Sequence, residues 1–327
     1  MFAEHLSRQF GTLNHFVIIS YGNAYADTGN LAQSLADHFP DLHYSIQPFR
    51  LLADDPAALP PSDMAVCTLW TTAYLQVRYN QTRAKFYLVQ DYEPAFYAAS
   101  DVSGVIEATY RFGFAVLANT QGVAERIRNY SADVTQFGPG VDRRTFYPDA
   151  DRQAPNKRPK IVFYGRPSNP RNCFVTGLET LKAVKHRLGD EVDIISVGAE
   201  WDESEFGVEG VVRNLGLLKT MKDVADLYRS ADFGLVYMMT PHPSYQPFEY
   251  MASGCVVVTN QNEANSWLLN SSNALLIPPL PALAAAEIVQ LSKDTQRWQR
   301  MRDNGLKTVA PLDWRPALLS VEKRICC

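Results

Sequence analysis

The chain has 327 residues, a length that suits two ordinary domains, and its 46% hydrophobic and 20% charged residues are the balance of a globular rather than a disordered protein. A formal net charge of -4 leaves no broad basic face and argues against a nucleic-acid partner. No apolar run approaches the roughly 18–20 residues of a membrane span, and the first 15 residues lack the basic region and apolar core of a signal peptide.

Taken in chain order, His15–Ser20 reads as a strand, 29–38 as a helix, 63–68 as a strand and 70–79 as a helix. Segments 85–90 and 114–118 read as strands apolar on both faces, and 121–130 as a helix. The stretch 148–159, PDADRQAPNKRP, is polar and proline-rich, the composition of an exposed connection between domains. The pattern then restarts with strands at 160–164, 192–196, 233–237 and 255–259 and helices at 173–187 and 221–230. Such alternation predicts an α/β chain of two Rossmann-like halves, each a parallel sheet wrapped on both sides, with a cleft between them.

The five cysteines (Cys67, Cys173, Cys255, Cys326 and Cys327) show no zinc-type spacing, so no metal site is expected and a reducing, cytoplasmic compartment is. Peripheral contact with the inner face of a membrane stays open.

Four segments carry polar chemistry at places where such sheets bind ligands. The loop FYGRPSNPRN follows the first strand of the second half: Gly165 permits close backbone approach, and Arg166 and Arg171 suit a pyrophosphate. It reads equally as a plain strand-to-helix turn with solvated arginines, and it is not the G-x-G-x-x-G of a nicotinamide site. In PHPSYQPFEYMASG, Pro247 marks a first helical turn and Gly254 the residue past the helix end. Glu249 is then either a capping carboxylate or a ligand contact, and His242 a structural or functional histidine. At the end of strand 85–90, Asp91 and Glu93 of QDYEP could accept a proton from a hydroxyl nucleophile, or be turn residues stopped by Pro94. In FGPGVDRRTFYP, Gly140 either approaches a ligand or makes a tight turn.

Together these segments resemble glycosyltransferase family 4, whose members have the GT-B fold. The run GPGVDRRTFYP is similar to that family's hinge motif, Tyr164-Gly165-Arg166 to its phosphate loop, and FEYMASGCVV to the second half of its E-x7-E segment. Asn273–Pro278 resembles the strand that follows. Gln90–Pro94 and Pro241–Tyr245 look most like bacterial rhamnosyltransferases of surface-glycan assembly.

The resemblance implies an N-terminal acceptor-side domain at 1–148, a donor-binding domain at 149–311, and a last helix, 312–327, that crosses back onto the first. It implies that Arg166 and Arg171, with Gly165, bind the donor pyrophosphate and that Glu249 holds the ribose. Leu215, Gly216 and Leu217 would receive the base, with Ser244, Tyr245, Gln246 and Phe248 along the pyrophosphate and sugar. The implied activity is metal-independent, cofactor-free transfer of a hexosyl residue from a nucleoside diphosphate sugar, dTDP-rhamnose being one candidate, to a glycan or lipid-linked glycan. Retention is the implied stereochemistry. The alternative is a non-catalytic sugar-nucleotide or glycan binder of the same fold, because the first glutamate of E-x7-E is Pro241 here. In catalysis His242 or a neighbouring backbone amide would substitute for that glutamate, and Asp91 or Glu93 would be the base if configuration inverts. The chain is short for the family, so an upstream segment is expected to be absent, and 148–159 is expected to be a hinge.

Overall fold

The computed structural model describes residues 1–239, 244–263 and 265–326, and these fall into two compact units. The first comprises Met1–Asn119, Ala124–Gly138 and the chain from Arg315 onward; the second comprises Thr120–Val123 and Pro139–Trp314.

The first unit opens with α1 (Phe2–Phe10), then β1 (Asn14–Ser20), α2 (Gly29–His38) and β2 (Tyr44–Arg50). It continues with β3 (Ser62–Cys67), α3 (Trp70–Arg78), β4 (Thr82–Val89), α4 (Asp101–Thr109), β5 (Ala115–Ala118), α5 (Gln121–Ile127) and β6 (Val134–Gln136). β1 and β2 form a parallel pair, with Asn14 opposite Tyr44 and Ser20 opposite Arg50. β3, β4, β5 and β6 form a separate parallel sheet in that order, its neighbours joined by the helical crossovers that parallel pairing demands. Strand β2 tolerates Pro48, opposite Ile18, because a two-stranded sheet consists of edges.

The second unit contains β7 (Lys160–Tyr164), α6 (Phe174–Leu188), β8 (Asp193–Val197), β9 (Arg213–Asn214), α7 (Met221–Ser230) and β10 (Phe233–Leu235). After these come α8 (Gln246–Ala252), β11 (Val256–Thr259), β12 (Ala274–Leu276), α9 (Pro281–Lys293) and α10 (Thr295–Val309). Its six strands are all parallel, in the order β12-β11-β10-β7-β8-β9. Alternate residues serve two cores. Ile161, Phe163, Phe233, Leu235, Val256 and Val258 pack with Leu181, Val184, Ile288 and Trp298 on one face. Val162, Ile195 and Val257 pack with Tyr228, Phe248 and Tyr250 on the other. A sheet buried on both faces explains why its strands read as continuous apolar runs.

The proline-rich stretch 148–159 lies inside the second unit, whereas its composition points to a free connection. Its polar groups are spent on Asp232, which is fully buried. Arg152 donates to the Asp232 carboxylate and, at 3.1 and 2.7 Å, to the carbonyls of Arg229 and Ala231. The Asn156 and Lys160 backbone N–H groups reach the same carboxylate at 2.8 and 2.6 Å, and Asn156 Nδ2 at 2.9 Å. The division between units therefore falls at Gly138, ten residues before 148, rather than within the polar stretch.

The last helix, α11 (Trp314–Cys326), belongs from Arg315 onward to the first unit. Val321 packs with Phe86 and Leu117 in its core, and Arg324 Nε donates to Asp133 at 3.3 Å. No helix of the described residues is long and apolar enough to cross a membrane.

Candidate functional site

In the second unit the chain runs from β7 outward through β8 to β9, then returns to the other side of β7 as β10 and continues outward through β11 to β12. The carboxyl ends of β7 and β10 thus flank the point where strand order reverses, where open parallel sheets bind ligands. The loop after β7 carries Gly165, Arg166 and Arg171; the loop after β10 leads to Ser244 and α8.

Three glycines line this edge on adjacent strands. Gly165 N–H bonds the Val197 carbonyl and Gly198 N–H the Gly216 carbonyl, both at 2.9 Å. Each is closely covered: an added β-carbon would lie 2.3 Å from Ser196 Oγ at Gly165, 2.7 Å from the Tyr164 ring at Gly198, and 2.1 Å from Glu200 at Gly216. The result is a backbone shelf running along β7, β8 and β9. Arg166 lies against it, its Cγ 3.4 Å from the β-carbon position of Gly198, and its Nη1 donates to Tyr164 Oη at 3.3 Å.

Past the shelf, Arg171 sits in the short turn Pro170–Asn172, and Cys173 starts α6 with a left-handed φ of 52°. It is the only non-glycine residue with positive φ among the described residues. That conformation costs about 1–2 kcal/mol, and such strain concentrates at ligand sites. No side chain caps the first turn of α6, so its N–H groups and the helix dipole face the same loop as the two arginines.

α8 forms where the sequence signs predict it, with Pro247 in its first turn and Gly254 at φ 77° beyond its end. Glu249 occupies the first turn, and burial pushes its carboxyl up to about 7. Its side chain accepts no hydrogen bond from the described residues. Ser244 donates to Gln246, and Tyr245 stacks on Trp314 with ring centroids 6.0 Å apart. Phe248 is fully buried in the core, so it reaches a ligand only through its backbone. Pro241 and His242 lie outside the described residues. Leu215 and Leu217 stand on either side of Gly216, 36% and 71% exposed. A β-carbon added at Gly140 would lie 2.7 Å from the backbone and ring of Trp314, so its missing side chain serves a close chain crossing within this unit.

In the first unit Asp91 and Glu93 differ sharply. Glu93 is 3% exposed, and its carboxylate accepts the Trp70 N–H at 2.6 Å and the Tyr87 hydroxyl at 3.0 Å. Burial outweighs both bonds and pushes its carboxyl up to about 7. Tyr110 accepts the Glu93 N–H at 3.0 Å, and Arg126 stacks 4.0 Å over Tyr92. Asp91 accepts its neighbour's N–H, from Tyr92, at 2.7 Å and stays partly accessible. Of the two carboxylates, then, Asp91 is the one presented at the strand end, and Glu93 holds the loop beneath it.

Residues 159–289 match the family described as WsaF, C-terminal domain. Over 325 residues the chain is 37% identical to the O-antigen biosynthesis protein RfbC of Myxococcus xanthus; the match covers 98% of this chain and 25% of that protein. The chain thus spans about a quarter of the length of the curated relative it matches. Among solved structures it resembles Anabaena HepE in complex with UDP and glucose (TM-score 0.74, 16% identity, 96% of this chain and 99% of that one). It also resembles sucrose-phosphate synthase of Thermosynechococcus elongatus (TM-score 0.71, 16% identity, 95% and 98%) and a glycosyltransferase of Rickettsia africae (TM-score 0.71, 14% identity, 99% and 93%). The fold is that of the GT-B class.

Proposed function

We propose that this chain is a glycosyltransferase of surface-glycan assembly that moves a hexosyl residue from a nucleoside diphosphate sugar to a glycan or lipid-linked glycan. The second unit holds the donor and the first serves the acceptor. The observation that carries the reading is the edge of the second unit's sheet at its switch point, where Arg166, Arg171 and the uncapped N-terminus of α6 share one loop beside a glycine shelf. This is chemistry for a pyrophosphate. The barrier to transfer is departure of the nucleotide with charge growing on the sugar ring, and preorganised cations at the leaving phosphates stabilise that state. Glu249 supplies acceptors for ribose hydroxyls.

The name of the Myxococcus relative and the UDP and glucose bound to HepE support the reading. Rhamnose from dTDP-rhamnose is the finer proposal, resting on the Gln90–Pro94 and Pro241–Tyr245 segments, as is membership of glycosyltransferase family 4. Transfer in this reading needs no metal, retains configuration and takes place in the cytoplasm at the inner face of the membrane. Asp91 is the base if the product proves inverted.

A thermal-shift screen against UDP, dTDP, GDP, CDP and NAD tests it, since a ligand at a hundred times its dissociation constant stabilises the folded state by about 2.7 kcal/mol. Stabilisation by one nucleoside diphosphate is expected; a shift with NAD alone overturns the reading. Arg166→Ala should lower transfer at least about a hundredfold and weaken nucleotide binding, and unchanged kinetics would remove Arg166 from the site. A non-catalytic binder would show no slow donor hydrolysis in the absence of acceptor.

A further inference from the structure

Beyond the arginine loop the glycine shelf ends on β9, and there Glu200 lies against Gly216. The β-carbon position of Gly216 is 2.1 Å from Glu200 Oε1 and 2.4 Å from Oε2, so the carboxylate occupies the space any other residue at 216 would need. Gly216 also adopts a φ of 65°, which suits glycine independently. Oε1 accepts the Leu217 N–H at 3.2 Å; Oε2 accepts no hydrogen bond from the described residues.

The two loops that meet here are locked together by Asn214. Its Nδ2 donates to the carbonyls of Ala199 at 3.2 Å and Trp201 at 2.9 Å, and its Oδ1 accepts the Gly216 N–H at 3.1 Å. Its own N–H bonds Glu203 Oε1 at 2.7 Å. Glu200, itself exposed, thereby lies against Gly216, whose chain neighbours Leu215 and Leu217 are also left at the surface. Exposed apolar side chains beside an acceptor-only group suit a flat heteroaromatic ring with an N–H on its edge. The distance fits as well: β9 is two strands from β7, or about 10 Å at roughly 4.8 Å per strand, comparable to the reach from the phosphates of a nucleotide to its base.

We propose that Glu200 selects the nucleobase of the donor, accepting at Oε2 the single ring N–H of a uracil or thymine. The inference rests on the donor reading above. Uracil and thymine present one ring N–H between two carbonyls. Cytosine and adenine place a bare nitrogen lone pair at the equivalent ring position, which repels a carboxylate oxygen aimed there. Their exocyclic amine beside it is a donor, so the discrimination rests on the ring position. Guanine presents two adjacent N–H donors that call for both carboxylate oxygens, and here Leu217 already engages Oε1.

Calorimetric titration of UDP, dTDP, CDP and GDP into the wild-type protein, Glu200→Gln and Glu200→Ala tests it, with the melting temperature of each free protein checking the fold. The wild type should bind UDP or dTDP at least about tenfold more tightly than CDP and GDP. In Glu200→Gln the carboxamide keeps an oxygen for Leu217 and turns a donor toward the base, which suits the cytosine ring nitrogen. The preference for UDP or dTDP over CDP should therefore fall about tenfold. Glu200→Ala should also narrow it while leaving a measurable affinity from the phosphates. If Glu200→Ala does not fold, Glu200→Gln alone decides the matter. Preferences unchanged within about twofold in the folded variants, or a wild type that favours GDP or CDP, would overturn the inference while leaving the donor reading intact. A wild type that binds none of the four overturns the donor reading, and this inference with it.

Discussion

In the second unit every parallel strand but the outermost, β9, is covered on both faces, whereas in the first no residue of β1 is fully buried and α2 buries none of its side chains. The first unit also divides its strands between a pair and a sheet of four. The difference teaches where each unit keeps its stability. The second gains it from two continuous cores and a buried ionic anchor; the first relies on smaller clusters, around Phe49 and Leu75 and around Phe86 and Leu117, together with a polar-aromatic network about Glu93.

The sharpest way to break this comparison is at its ion pairs. Asp232→Ala leaves Arg152, whose side chain is 11% exposed, without its carboxylate, and should destabilise the protein by about 3–5 kcal/mol in denaturant titration. Asp54→Ala removes a bridge to Arg50 at 2.6 Å in the first unit, but beside solvent, and should move the midpoint little. Equal effects would end the distinction. Leucine truncation is the next test. Leu181→Ala, in the fully buried core beside β7, should cost about 3 kcal/mol or more, and Leu35→Ala on α2 about 1 kcal/mol or less.

The third test sharpens the comparison through pH. The folded protein keeps Glu93 protonated up to about pH 7, while the unfolded chain ionises it near 4.5. Between those values the folded state holds the extra proton, so stability is full below 4.5 and falls as pH rises through 7. Glu93→Gln should abolish this contribution, on the order of 3 kcal/mol, and flatten the stability profile of the first unit across that window. An unchanged profile would show that the Trp70 and Tyr87 bonds, rather than burial, govern the carboxyl.

Much of the second unit was legible in the sequence because glycine, proline and arginine punctuate it. Lys160–Tyr164 and Met221–Ser230 form as read, and Pro247 and Gly254 bracket α8. In the first unit β2 escapes a sequence reading because Ser45, Gln47 and Pro48 erase its apolar pattern, although Gly29–His38 is read to the residue. The polar stretch 148–159 misleads for a different reason: composition shows many polar groups but not that a buried Asp232 collects them. Glu200 has no local signal at all. It is the first acidic residue in EWDESE, and only the fold of β8 and β9 brings it to Gly216. The arginines and Glu249, by contrast, sit beside the glycines and prolines that shape their loops, so type and place are visible together.

Helix α11 gives the two units opposite orders of synthesis and completion. Most of the first unit is translated before the second, yet its core needs Val321, which is translated after the whole of the second unit. At about 5–20 residues per second, the stretch 139–314 takes roughly 10–35 s to make. Throughout that interval Phe86 and Leu117 still lack Val321. The first unit is thus completed only after the second has been made.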